Sequence, residues 1–213
     1  MRTELKQLLA ELFGTFVLVF IGAGAWALHS GGILGAAVAH GVALMVITYM
    51  VGGVSGAHVN PAVTFGLAAA GKIEWPRAAR YWAAQIGGAI LGAVALRIVL
   101  ADRAGNLGAT LLADDVTVVQ GLLIEAILTA FLVFAVMVSG VLGRNGNMAG
   151  LAIGLVLTMD TLMGGGLTGA SMNPARTLGP GIVSGRLDDV WVYVVGPCAG
   201  GAGGALLARY LHA

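Results

Sequence analysis

The sequence predicts an all-α integral membrane protein with six transmembrane helices and two half-length helices, arranged as an inverted repeat. Three observations predict it. Hydrophobic residues make up 58% of the 213-residue chain and charged residues only 10%, whereas a soluble domain carries about 25% charged residues. Six runs are each long and apolar enough for a hydrocarbon core of roughly 30 Å. Chemically distinctive residues of the first half recur in the second half, in the same order and at nearly constant spacing. The composition argues against a soluble enzyme and a disordered chain, because there are too few polar side chains to cover a soluble surface. The formal net charge of +1 gives no basic patch for nucleic acid. The 35 glycines, about twice the usual share, suit helices whose backbones touch inside a bilayer. The single Cys198 forms no internal disulfide and is expected as a small packing residue.

The first span is the run from Leu8 to Leu28, interrupted only by Glu11. It is too long, and too poor in a small-residue cleavage site, to be expected as a removable signal peptide. Ile33 to Val51 is the second span, with His40 inside it. The third is centred on Tyr81 to Leu96, the fourth lies within Val116 to Leu142 and holds Glu125, the fifth is Met148 to Leu167 with Asp160, and the sixth is Val190 to Ala208. No run has the alternating period of a barrel strand. Tyr81, Tyr193, Trp75, Trp82 and Trp191 fall near span ends, where an aromatic belt is expected. Gly87, Gly88 and Gly92, with Gly200, Gly201 and Gly204, have the small-residue spacing of close helix packing.

Orientation follows from lysine and arginine. With the N-terminus inside, Arg2, Lys6, Lys72, Arg77, Arg80, Arg144 and Arg209 are cytoplasmic, and only Arg97, Arg103 and Arg186 are external. Both termini are therefore predicted to be cytoplasmic.

Glu11, Thr15, Val19 and Phe20 recur as Glu125, Thr129, Val133 and Phe134, at an offset of 114. Asn60-Pro61-Ala62 recurs as Asn173-Pro174-Ala175 at an offset of 113, and Tyr81, Gly88 and Gly92 recur as Tyr193, Gly200 and Gly204 at 112. The chain thus reads as one domain, 1–213, with repeats over approximately 1–105 and 113–213. Three spans per repeat is an odd number, so the second repeat enters the membrane from the opposite side.

Each Asn-Pro-Ala triplet follows an irregular glycine-rich segment and precedes about ten residues of apolar chain, roughly 15 Å of helix, which is half a bilayer. Asn60 and Asn173 read as N-caps, with Pro61 and Pro174 at the first helical position. Inversion brings these two N-terminal ends together near the midplane. Each end carries about half a positive charge. Each asparagine can cap its own helix and still offer a side-chain N–H. A water oxygen can accept it, while a cation or hydronium is repelled by the field.

The six spans, the glutamate in spans one and four, the paired Asn-Pro-Ala boxes and Arg176 after the second box together resemble the aquaporin (major intrinsic protein) family over nearly the whole chain. The resemblance implies a right-handed bundle, a homotetramer in lipid with one pore per subunit, and rapid passive flow of water or small neutral solutes without a cofactor. It implies a selectivity filter at His40, Thr161, Ala170 and Arg176, and that Glu11 and Glu125 hold the loops before the boxes through backbone N–H groups. A histidine at the His40 position is similar to vacuolar plant members and ammonia-permeable animal members. Thr161 and Ala170 are small, so the filter is expected to be wider than the narrowest water filters and to leak ammonia or hydrogen peroxide. Glycerol channels of the family usually carry Asp directly after the box arginine and an aromatic filter, whereas Thr177 stands here and no filter position is aromatic. Glycerol is the alternative substrate, and an ion-coupled transporter a more distant one. An enzyme is not expected, since His29, His40, His58 and His212 are far apart and show no metal-ligand spacing. Asp160 has no family counterpart. Pairing with His40 or a neighbouring subunit, or a contact at the tetramer centre, is its expected role, with contact to the solute as the alternative.

Overall fold

A computed structural model describes residues 2–212. The helix α1 runs as Arg2–Leu18, a single π-turn Val19–Ala23, and Gly24–Ala27. It is followed by α2 (Gly32–Ser55), the short α3 (Pro61–Ala69), α4 (Trp75–Leu100) and α5 (Val118–Ala135, continued by a π-turn Val136–Val141). The second half continues with α6 (Ala149–Thr168), the short α7 (Pro174–Ser184) and α8 (Val192–Leu211). Six long helices thus enclose two half-length ones, in an inverted repeat. Among the described residues, five helices are long and apolar enough to cross a membrane. The sixth, α8, spans 20 residues, but its many glycines and Pro197 dilute its hydropathy.

Packing follows the repeat. The α1–α4 pair in the first half matches α5–α8 in the second, and α2 packs against α6 across the middle. Glycines permit this approach. A Cβ on Gly88 would strike the backbone of Leu12, and one on Gly200 would strike the backbone of Ala126. Gly41 and Gly154 each lie against the other's carbonyl. Gly87 has nothing near it and is not a packing glycine. The half-helices cross over: α3 rests on α8 and α7 on α4. Each repeat therefore cradles the other's half-helix, and the two N-terminal ends point at one another.

The aromatic belt needs correction. Trp75 and Trp191 are exposed at 49% and 48%, as a belt requires, but Tyr81 and Tyr193 are 2% and 0% exposed. Each tyrosine turns inward and donates its hydroxyl to a backbone carbonyl, Ser55 O at 2.9 Å and Thr168 O at 2.9 Å. Those carbonyls end α2 and α6, where the last C=O groups of a helix lack intrahelical donors. A buried tyrosine hydroxyl needs a hydrogen bond, and each helix end supplies one. The hydropathy pattern shows where a tyrosine lies along a span, not which way it points.

Candidate functional site

The two asparagines cap α3 and α7. Asn60 Oδ1 accepts from the N–H of Ala62 at 2.8 Å, and Asn173 Oδ1 from Ala175 at 3.0 Å and Arg176 at 3.2 Å. Their amide nitrogens then cross the pseudo-two-fold. Asn60 Nδ2 donates to Met172 O at 2.7 Å, and Asn173 Nδ2 donates to Val59 O at 2.9 Å. Each amide has a second hydrogen free of that bond. Both asparagines line a cavity of about 450 Å³, together with His40, His58, Ser171 and Arg176. The rest of its wall is largely aliphatic, including Leu44, Val63, Leu132 and Leu157.

The carbonyls that receive the amides sit on strained backbone. Val59 has φ +43° and Met172 φ +52°, with Ala57 and Ala170 at +49° and +44°. Left-handed conformations of this kind cost on the order of 1–3 kcal/mol each for residues other than glycine. Two fully buried carboxylates hold them. Glu11 accepts from Ser55 Oγ at 2.6 Å, His58 N at 3.0 Å, Val59 N at 2.7 Å and Gln85 Nε2 at 2.7 Å. Glu125 accepts from Thr168 Oγ1 at 2.7 Å, Ser171 N at 2.9 Å and Met172 N at 2.7 Å. A continuous chain results: glutamate to left-handed residue, and from its carbonyl to the asparagine of the opposite repeat.

His58 is oriented by the same network. His58 Nδ1 lies 3.1 Å from Thr64 Oγ1, which in turn lies 3.0 Å from Asn60 O. On the other repeat, Ser171, Thr177 and Thr110 form a hydroxyl chain at 2.6 and 2.8 Å.

Arg176 is 2% exposed and lines the large cavity and also a second one of about 210 Å³, whose wall includes Trp26, His29, Asn106 and Gly108. It therefore stands where the two spaces approach one another. Its Nη1 donates to Gly108 O at 2.7 Å, and Nε has no partner. His40 lines the large cavity, with Nδ1 3.1 Å from Ala36 O and Nε2 without a partner. Thr161 and Ala170 are buried and line neither cavity. Thr161 donates its hydroxyl to Leu157 O at 2.8 Å within its own helix, and Ala170 N donates to Thr168 Oγ1 at 3.1 Å.

Asp160 does not pair with His40. It is 1% exposed, shares a face of α6 with Leu157 and Gly164, and neither carboxylate oxygen has a hydrogen-bond partner among the described residues. A buried polar group left unsatisfied costs about 1–3 kcal/mol. Asp160→Leu, close in shape and without that cost, is expected to raise the melting temperature of the solubilised protein by a few degrees and to leave permeability unchanged. A lower melting temperature would mean that Asp160 has a partner in the membrane.

Several groups had no warning in the sequence. Ser55 and Thr168 share the 113-residue offset, but small hydroxyls repeat easily by chance. Gln85 corresponds to Pro197 in the second repeat, so no repetition marks it. The acceptor for Arg176 is a backbone carbonyl, which no residue type announces.

Two half-helices meeting tip to tip on the wall of a largely aliphatic cavity, inside a bundle of apolar membrane-length helices, define an integral membrane channel. The pattern of the family described as major intrinsic protein matches residues 1–208. This chain belongs to that family, the aquaporins, whose members are channels and not enzymes. It is 42% identical to Aquaporin NIP1-1 of Oryza sativa subsp. japonica over 209 residues, covering 94% of this chain and 72% of that protein. Probable aquaporin TIP3-2 of Arabidopsis thaliana is 41% identical over 226 residues, covering 98% and 84%. Among solved structures, the aquaglyceroporin from Plasmodium falciparum superposes with a TM-score of 0.83 at 26% identity, covering 96% of this chain and 95% of that one.

Proposed function

We propose that the chain is a passive water channel that also passes small neutral solutes such as ammonia and hydrogen peroxide, and excludes protons and ions. One observation carries this reading. Asn60 and Asn173 stand on the wall of one cavity, each anchored by one amide hydrogen and keeping the other free. A water passing them can give up hydrogen bonds to its neighbours for bonds to the two amides, while the half-helix N-termini oppose a cation. Selectivity in aquaporin-type pores comes down to the same three things: diameter, lining hydrogen-bond donors, and the field of an arginine or of half-helix dipoles. The proposed filter is Arg176, His40, Thr161 and Ala170, of which Arg176 and His40 line the cavity and Thr161 and Ala170 do not, and Glu11 and Glu125 are its supports. A homotetramer in the lipid bilayer, with both termini cytoplasmic and each subunit (repeats approximately 1–105 and 113–213) carrying its own pore, completes the reading.

Glycerol is the second reading, favoured by the fit to an aquaglyceroporin fold and weakened by Thr177 after Arg176 and by the absence of an aromatic filter residue. Ion-coupled transport has less support. A coupling site needs a carboxylate on the passage, and neither Glu11, Glu125 nor Asp160 lines either cavity. Stopped-flow light scattering on reconstituted vesicles tests the proposal. Water flux is expected to be several-fold above empty vesicles, with ammonia flux above background, glycerol flux lower, and no dependence on a sodium or pH gradient. Water flux equal to that of empty vesicles would refute it.

A further inference from the structure

The π-turn in α1 places Gly22 directly against the imidazole of His40. A Cβ built on Gly22 would lie 2.5 Å from His40 Cδ2, 2.5 Å from Nε2 and 2.7 Å from Cε1, all on the outer edge of the ring. Ordinary contact begins at 3.4 Å. Gly22 is buried within the turn Val19–Ala23. A π-turn inserts one residue into a helix and re-aims the residues it contains. Gly24, two residues further, faces Leu96 of α4 instead. The ring is fixed at its other end by Nδ1 beside Ala36 O at 3.1 Å, and it forms part of the cavity wall.

We propose that Gly22 is a specificity-determining positioning residue: its missing side chain forms a notch in α1 that seats the edge of His40, and the depth of that seat sets how wide a neutral solute can pass. The proposal rests on His40 belonging to the filter. A methyl group in the notch displaces the ring by roughly 1 Å if ordinary carbon contacts are to be restored. α1 blocks one side and the cavity leaves the other open, so the ring moves into the passage. Larger solutes then lose more than water does.

The test is a cycle of wild type, Gly22→Ala, His40→Ala and the double variant, with Gly24→Ala as a control on the same helix. Vesicle permeability is measured for water, ammonia, urea and glycerol. Gly22→Ala is expected to lower the permeability of the largest solute that wild type passes at least fivefold more than that of water, or to lower water itself if only water passes. In the His40→Ala background the same substitution is expected to change nothing beyond about 1.5-fold, and Gly24→Ala is expected to leave the solute-to-water ratio at the wild-type value. An effect of Gly22→Ala that persists without the imidazole, or an equal loss for every permeant including urea and glycerol, overturns the proposal.

Histidine ring resonances of ¹⁵N-labelled protein give a readout that does not need flux. The signal that disappears in His40→Ala is expected to shift in Gly22→Ala and to stay in place in Gly24→Ala, and an unmoved signal also overturns the proposal. Wild-type vesicles that pass nothing would refute the channel reading, while the resonances would still decide the seat. Should Gly22→Ala fail to fold, the double variant is expected to recover wild-type yield, because the clashing ring is gone. Failure of the double variant as well would refute the notch.

Discussion

Water permeability of vesicles carrying Glu125→Gln is expected to fall at least about tenfold, with the protein still folded. Glutamine keeps the volume of Glu125 but replaces one acceptor oxygen with a donor. Every neighbour of that carboxylate is a donor: Thr168 Oγ1, Ser171 N and Met172 N. Whichever way the amide is turned, at least one N–H or O–H faces another donor. Losing one hydrogen bond to a charged acceptor costs about 1.5–3 kcal/mol, and tenfold corresponds to about 1.4 kcal/mol.

The position of the loss matters more than its size. Met172 has φ +52° and stays there only while its N–H is held. Once released, it relaxes and turns its carbonyl away, and Asn60 Nδ2 loses the acceptor that aims it across the pseudo-two-fold. Glu125→Ala goes further and leaves all three donors buried without a partner, so loss of folded protein is expected. Stopped-flow flux normalised to reconstituted protein, with circular dichroism of the same sample, separates the two outcomes. Unchanged flux in a folded Glu125→Gln protein would mean that the loop holds its shape without the carboxylate.

Much of this architecture is legible in the sequence, and the reasons are physical. A bilayer imposes one length on every span, so hydropathy alone places α2 within a residue of its start and α6 within a residue of both ends. Asparagine before proline is a local signal, because a cap and a missing N–H act on the adjacent turn, and α3 and α7 begin at Pro61 and Pro174. The offset that pairs Glu11 with Glu125 is equally visible, but what each oxygen accepts is not.

The features that hydropathy leaves undetermined depend on direction. Tyr81 and Tyr193 sit near the ends of their spans, as belt residues do, yet they point at the C-terminal carbonyls of neighbouring helices. The helix rotation that decides this comes from packing, of α4 on α1 and α7 and of α8 on α5 and α3. Gln85 adds a fourth donor to Glu11 with no counterpart at Pro197. The π-turns at Val19–Ala23 and Val136–Val141 have no composition of their own. Gly22 reads as one more small residue until the imidazole is seen against it. Gly108 likewise matters through its backbone carbonyl, which the sequence cannot mark.

Arg176→Met is expected to raise proton conductance about a hundredfold while changing water flux by less than about threefold. Methionine keeps an unbranched stem of comparable length, so packing of the stem is largely retained. What is lost is a charge with no carboxylate in contact: among the described residues the ion pairs are Arg80 with Glu4 and Arg186 with Asp188, and neither involves Arg176. A unit charge about 5 Å from a passing cation, at an effective dielectric near 20, raises its energy by about 3 kcal/mol. That is roughly two decades in rate. Water carries no net charge and feels only the missing donors. The positive ends of α3 and α7 remain in the variant, so conductance stays far below that of an open aqueous pore. A pH-sensitive dye inside vesicles, with potassium and valinomycin setting the potential, reads the effect directly. Conductance unchanged from wild type would locate the barrier at the paired asparagines, where the two half-helix fields add, and would leave Arg176 a role in holding Gly108 and the loop between α4 and α5.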